Sequence, residues 1–281
     1  MKRLKKMLNF FFGILCITFI GLYIAFYQLS KPESDETVVK ELKTGFADVS
    51  LTRGHFKNFE YRKVSIRKDT ALPTIIFVHG TIGSAMNFKE YLIDNSLLQK
   101  ANLISYDRIG YNYKDKYQVQ ESIAFEAEML DSIIDNDPNT IVVGYSYGGP
   151  IALAAKTRIK NIILIAPAVY GKVEPMPFLL NIYKWRFTRW TVPHVWKQAA
   201  KEKMSHREDL SKFEDHWNQN KNQILSIHGN TDWIVPYENS LFLQRQFPGK
   251  QFKLITVDDA GHELVWSHKE LIKKELLKLL D

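Results

Sequence analysis

Apolar residues recur along this chain in two rhythms. Short runs rich in β-branched residues, "PTIIFVHG" (73–80), "NTIVVGYS" (139–146) and "KNIILIAPAV" (160–169), read as strands buried on both faces. "NLISYD" (102–107) is a further strand, and "FADVSL" (46–51) and "NFEYRKVSIR" (58–67) form an earlier pair, with the Gly54 region as their turn. Between the strands, apolar positions recur every three or four residues. This spacing predicts helices over "SAMNFKEYLIDNSLLQKA" (84–101), "VQESIAFEAEMLDSIIDN" (119–136) and "GGPIALAAKTR" (148–158). Strand and helix thus alternate from about residue 73 to 169, which argues for a mostly parallel central sheet with helices on both faces.

The alternation stops between about 170 and 221, where tryptophans and prolines cluster and no strand pattern is visible. It resumes with "QILSIHGNTD", "SLFLQRQF", "FKLITVDDAGH" and the C-terminal helix "LVWSHKELIKKELLKLL". The simplest organisation is one α/β domain over 45–281 carrying a helical insertion at about 170–221.

The N-terminus follows neither rhythm. Residues 7–29 carry no charge, and a helix of that length, rising about 1.5 Å per residue, crosses a hydrocarbon core of about 30 Å. Lys2, Arg3, Lys5 and Lys6 precede it, and Glu33, Asp35 and Glu36 follow. The basic flank predicts a cytoplasmic segment 1–6, a single transmembrane anchor 7–29, a linker or short amphipathic lead-in 30–44, and the large domain on the extracytoplasmic side. A cleaved signal peptide is the rival reading, but "AFYQLS" has no A-x-A cleavage pattern.

Composition narrows the chemistry. The net charge of +7 is partly local to the first six residues, and no run alternates basic and aromatic side chains, so no nucleic-acid partner is expected. Cys16 is the only cysteine, which excludes an internal disulfide and a cysteine zinc site. The eight histidines show no pairing of the H-E-x-x-H kind, and neither metal nor organic cofactor is expected.

One motif stands out. Gly144-Tyr145-Ser146-Tyr147-Gly148 places a serine between a predicted strand and a predicted helix. A serine hydroxyl is a weak nucleophile and needs a base, an orienting group for that base, and donors aimed at a developing oxyanion. The G-x-S-x-G turn is so tight that side chains two positions away on either side would clash, and its strain exposes the serine. Asp232 and His262 each follow a later predicted strand. In a parallel sheet those strand ends share one edge, the edge where ligands bind. Asp258 and Asp259 compete with Asp232 through nearness in sequence to His262. His79 and His228 precede glycines at strand ends and read as structural. His55, His194, His206, His216 and His268 read as surface residues, with His194 and His206 able to reach substrate from the insertion.

In these pieces, His79-Gly80 after a strand, the elbow at Ser146, "HGNTDWIVP" around Asp232 and "AGHE" at His262, the chain resembles the α/β-hydrolase family over about residues 57–280. The resemblance implies Ser146 as nucleophile, His262 as general base and then acid, and Asp232 as the group orienting the imidazole. It also implies an oxyanion hole made by the backbone N–H groups of Tyr147 and Thr81, with Ile82 as an alternative to Thr81. The serine nucleophile sets it apart from the branches that use aspartate. "SYDRIGYNYK" departs from the usual turn of relatives, which leaves that loop's shape open. In this family an insertion after the sixth strand forms a cap. Here its aromatics suggest an apolar wall, and it carries ten basic and six acidic residues from Lys172 to Lys221. The expectation is a membrane-anchored serine hydrolase acting on a small ester or lipid-like ester, or on an amide or thioester. An acyltransferase using the same residues and a non-catalytic membrane scaffold are the alternatives.

Overall fold

The structure is a computed structural model that describes residues 2–43, 48–67, 69, 71–112 and 122–280. The start of the predicted strand at 46 and of the predicted helix at 119 lie outside the described residues, as do the last two positions of "SYDRIGYNYK".

Eight strands form one sheet: β1 (Asp48–Phe56), β2 (Phe59–Arg67), β3 (Thr74–Val78), β4 (Asn102–Tyr106), β5 (Ile141–Tyr145), β6 (Asn161–Ile165), β7 (Gln223–Gly229) and β8 (Phe252–Val257). Their spatial order is β1-β2-β4-β3-β5-β6-β7-β8. β1 and β2 form an antiparallel hairpin, β2 runs antiparallel to β4, and all pairs from β4 to β8 are parallel. The chain passes from β3 outward to β4 and then returns to the other side of β3 as β5. The strand order therefore reverses at β3/β5, and a crevice opens there at the carboxyl edge.

The continuous apolar runs follow from burial on both faces. Ile75 and Phe77 of β3 and Ile141 and Val143 of β5 pack on one side with Val38, Tyr91, Leu264 and Leu276. Their alternate neighbours Ile76, Val78 and Val142 pack on the other with Met129, Leu130, Ile151 and Leu243. A sheet with both faces covered cannot alternate polar and apolar residues, so its strands read as uninterrupted hydrophobic stretches.

Three local expectations change. Gly54 is not a turn residue: it lies within β1 opposite Tyr61, where a Cβ would come within 2.3 Å of the tyrosine ring. The turn falls instead at Lys57, which takes the positive φ of 51°. The helix expected over 84–101 is broken into a 3-10 turn at Ala85–Phe88 and two single turns, Lys89–Leu92 and Asn95–Leu98. Asp94 causes the second break by accepting the Ser96 and Leu97 amides as an N-cap. The C-terminal helix is likewise interrupted, at His268 between Leu264–Ser267 and Lys269–Leu280.

The stretch from 170 to 221 follows β6 and holds only helical elements, the longest being His194–Leu210. The N-terminal helix, Lys2–Leu29, buries none of its residues. After it, a short helix Asp35–Leu42, capped by Ser34, buries Val38 and Leu42 against the domain.

Candidate active site

β5 runs straight into the turn that carries Ser146. The residue sits at φ 54°, a left-handed conformation costly for a side chain with a Cβ and held only when the surroundings dictate it. Two close approaches dictate it here. A Cβ on Gly144 would fall 2.4 Å from the Gly148 carbonyl oxygen, and one on Gly148 would fall 2.2 Å from that of Val78. Ser146 N–H donates to Ile165 O at 2.9 Å, tying the turn to β6. The helix Gly148–Ala154 starts immediately afterwards, with Tyr147 as its N-cap.

Loops after β7 and β8 bring the other two groups. His262 Nε2 lies 3.0 Å from Ser146 Oγ, and His262 Nδ1 lies 2.7 Å from Asp232 Oδ2. The carboxylate can only accept, so Nδ1 carries the proton and Nε2 presents its lone pair to the serine hydroxyl. Asp232 Oδ1 accepts the Ile234 and Val235 amides at 2.9 and 2.8 Å. Burial pushes its pKa up, but hydrogen bonds from His228 and His262 outweigh burial and hold the carboxyl well below its ordinary range. The three side chains predicted from sequence therefore meet, in an arrangement able to pass a proton from the hydroxyl to the imidazole.

Asp258 and Asp259 do not meet His262. Asp258 accepts from Asn230 Nδ2 at 2.9 Å, and Asp259 occupies a left-handed turn position. His228 is fully buried. Its Nε2 faces two acceptors, Val235 O at 3.0 Å and Asp232 Oδ2 at 3.4 Å, so Nε2 holds the proton and Nδ1 takes the Ser240 hydroxyl at 2.7 Å. It steadies Asp232. His79 is also buried: Nδ1 donates to Gly80 O at 2.7 Å and Nε2 accepts the Arg108 amide at 3.0 Å. Burial, then the nearby Arg108 cation, hold its pKa well below the ordinary value, so it stays neutral.

Thr81 and Tyr147 flank the serine in the same cavity. Gly80 passes so close that a Cβ would lie 2.7 Å from Ser146 Cβ. Ile82, next in this loop, has φ 57°, a strained value for a β-branched residue. A buried network pins the loop. Arg108 Nη2 donates to Gly80 O at 3.3 Å, and Thr81 Oγ1 donates to Glu202 Oε2 at 3.0 Å. Glu202, on the insertion helix His194–Leu210, also accepts both Arg108 Nη atoms at 2.9 and 3.0 Å and the Tyr111 hydroxyl at 2.8 Å. The Arg108 guanidinium lies 4.7 Å from the Tyr147 ring centre.

Sequence reading passed over Glu202 and Tyr145. Tyr145 stacks on the His262 ring at 5.1 Å and donates its hydroxyl to the His262 carbonyl at 3.0 Å. His206 corrects an expectation: it is buried rather than at the surface. It packs 4.7 Å from the Tyr147 ring, with Nδ1 bonded to Glu174 at 2.8 Å. The side of the helix His194–Leu210 that carries Ala199, Glu202 and His206 is buried, and Ala199 and His206 both line the cavity that holds the serine.

These groups open into a cavity of about 1020 Å³ with largely apolar walls. Among the described residues, no cluster of three or more His, Cys, Asp or Glu side chains has the arrangement of a metal site.

A family model for the alpha/beta hydrolase fold matches residues 73–208. With that match, the reversed strand order and the elbow, the chain has the α/β-hydrolase fold. Solved structures agree. A membrane phospholipase A, described as a bacterial virulence factor, is 15% identical with a TM-score of 0.65, covering 97% of this chain and 98% of its own. The carboxylesterase CesB of Bacillus subtilis is 15% identical with a TM-score of 0.62, covering 92% and 98%. The 2-hydroxy-6-oxo-6-phenylhexa-2,4-dienoate hydrolase of Rhodococcus sp. strain RHA1 is 17% identical with a TM-score of 0.62, covering 83% and 99%. At such identities the likeness carries the fold alone. No curated protein matches the sequence.

Proposed function

We propose that this protein is a membrane-anchored serine hydrolase that cleaves carboxylic esters of apolar or lipid-like character through an acyl-enzyme. The observation that carries the reading is the relay of 3.0 and 2.7 Å from Ser146 through His262 to Asp232, at the floor of an apolar cavity. His262 Nε2 takes the hydroxyl proton as Ser146 Oγ attacks the ester carbonyl carbon. The carbonyl becomes a tetrahedral oxyanion, facing the backbone N–H groups of Tyr147 and Thr81. Each such donor contributes roughly 3–4 kcal/mol in comparable sites. Collapse breaks the C–O bond to the alcohol, and the imidazolium returns its proton to that leaving oxygen. A water then gives its proton to His262 as it attacks the acyl-enzyme; collapse breaks the bond to Ser146 Oγ, the imidazolium returns the proton to that oxygen, and the acid is freed. Asp232, ionised well below neutrality, stabilises the imidazolium in both halves.

Ester chemistry is also favoured by the activities of two fold neighbours, a phospholipase A and a carboxylesterase. The anchor rests on the 28-residue N-terminal helix, whose best window has a mean hydropathy of 2.2 and is not buried against the domain. Its basic flank supports residues 1–6 in the cytoplasm, a span over 7–29, a connection over 30–44, and a hydrolase domain over 45–281 outside, with the cap at 170–221.

The test is a panel of aryl esters, thioesters and anilides with the full-length protein, beside its Ser146→Ala variant. The reading expects ester turnover that falls on the order of 10³-fold or more in the variant. Equal turnover by both proteins would overturn it. Alkaline carbonate extraction of membranes tests the anchor, which requires the protein to stay in the pellet.

A further inference from the structure

The cavity above Ser146 does not end at the cap. Tyr23 and Phe26 of the N-terminal helix form part of its wall, together with Val192 and Trp196 of the cap. The helix is fastened there. Tyr23 Oη donates to Thr191 O at 2.9 Å, Phe26 and Trp196 rings lie 5.4 Å apart, and Trp196 Nε1 donates to Ser30 Oγ at 3.0 Å.

The depth of that contact follows from helix geometry. About 20 residues at 1.5 Å each are needed to cross a core of about 30 Å. Counted from Met7, the first residue after the basic cluster, the far boundary falls at about Phe26. The cap is therefore held against the part of the helix that leaves the bilayer.

Chain next to this contact is unusually apolar and uncovered. Phe178, Leu179, Trp185, Phe187 and Trp190 are 80, 70, 60, 89 and 74% exposed. Trp190 immediately precedes Thr191, the partner of Tyr23. Lys184, Arg186 and Arg189 are interspersed among them. Exposed aromatics mixed with cations are the composition of a surface that sits among headgroups, with its rings at the acyl boundary. Leu179 and Ile182 belong both to this exposed surface and to the cavity wall, so the surface adjoins the cavity.

We infer that residues 176–191 dock the cap into the leaflet on the domain's side, and that the cavity takes its substrate sideways from that leaflet, along the N-terminal helix. The substrate class is a long-chain acyl ester resident in the bilayer. The acyl chain enters between Tyr23, Phe26 and Leu179, and its carbonyl reaches Ser146. This inference rests on the anchored-hydrolase reading above.

The test uses the full-length protein in vesicles of phosphatidylethanolamine and phosphatidylglycerol with isotopically labelled acyl chains. It is run beside the triple variant Trp185→Gln/Phe187→Gln/Trp190→Gln. All three side chains are exposed, so the fold does not depend on them. Release of labelled fatty acid should fall at least tenfold in the variant, while turnover of a soluble short-chain aryl ester stays within twofold. Acyl-brominated phosphatidylcholine should quench tryptophan fluorescence in the wild type and much less in the variant. Equal fatty-acid release by both proteins, or no bromolipid quenching of the wild type, overturns the inference. So does a drop in oligomeric mass of the variant without any change in quenching, which would assign this face to a second copy of the chain. Absence of short-ester turnover in the wild type, or its extraction by carbonate, overturns the underlying reading and the inference with it. Vesicle lipid left intact by an active, anchored wild type overturns the inference alone.

Discussion

Glu202→Gln is the most informative single substitution. Glu202 has no exposed surface and stands between the cap helix and the loop before Ser146. Its Oε2 accepts from Arg108 Nη2, Tyr111 Oη and Thr81 Oγ1, and its Oε1 from Arg108 Nη1 and Gln198 Nε2. A glutamine of the same shape must turn its NH₂ towards one of these sets. Whichever way the amide lies, an Arg108 N–H then faces a donor, since the guanidinium cannot accept. Removing one member of a buried ion pair costs about 3–5 kcal/mol. Glu126 Oε1, 3.8 Å from Arg108 Nη1, keeps part of the compensating charge and favours the lower end, about 3 kcal/mol. For a domain of this size that is a fall in Tm of roughly 6–12 °C. The assay is urea and thermal unfolding of the full-length protein in detergent, followed by tryptophan fluorescence. Arg108→Leu, Glu202→Leu and the double variant Arg108→Leu/Glu202→Leu form a cycle with the wild type. The double variant should be more stable than the sum of the single losses predicts, because neither charge is left alone. A Glu202→Gln protein within about 0.5 kcal/mol of wild type would refute the reasoning, as would strictly additive losses.

Thr81→Val deletes only the hydroxyl bonded to Glu202; kcat on a short aryl ester should fall about tenfold, with Thr81→Ser restoring it, and an unchanged Thr81→Val kcat would contradict the positioning role. Gly80→Ala would place a Cβ 2.7 Å from Ser146 Cβ, so kcat/KM should fall on the order of 100-fold with near-ultraviolet circular dichroism preserved. Asp232 has a folded pKa depressed below the unfolded value of about 3.9, so its stabilisation is complete above that value and is lost only as pH falls through the lower folded pKa. The urea-midpoint gap between wild type and Asp232→Asn should therefore hold constant from pH 8 to about 5 and close only in stronger acid. A gap that closes near neutrality would contradict this.

Local sterics made much of the site legible in the sequence. The elbow declares itself because only glycines fit where the Gly144 and Gly148 backbones nearly touch their neighbours. The buried strands declare themselves because both faces are covered, and the order of Asp232 and His262 after later strands follows from the parallel sheet. Long-range pairing hid the rest. Gly54 reads as a turn until the register sets it against the Tyr61 ring. Glu202 reads as a solvated charge on a polar helix, because its donors come from residues 81, 108, 111 and 198 and meet only in the folded chain. His206 reads as exposed for the same reason: its burial depends on the cap helix lying over Tyr147.

The proposed reaction requires Ser146 to become acylated. Mixing the full-length protein with an excess of p-nitrophenyl butyrate, quenching in acid within the first turnovers, and mapping the digested protein by mass spectrometry tests it directly. A butyryl adduct should appear on the peptide containing Ser146 and be absent from Ser146→Ala. Ester hydrolysis at full rate with the adduct on another residue, or with the alanine variant equally active, would contradict it.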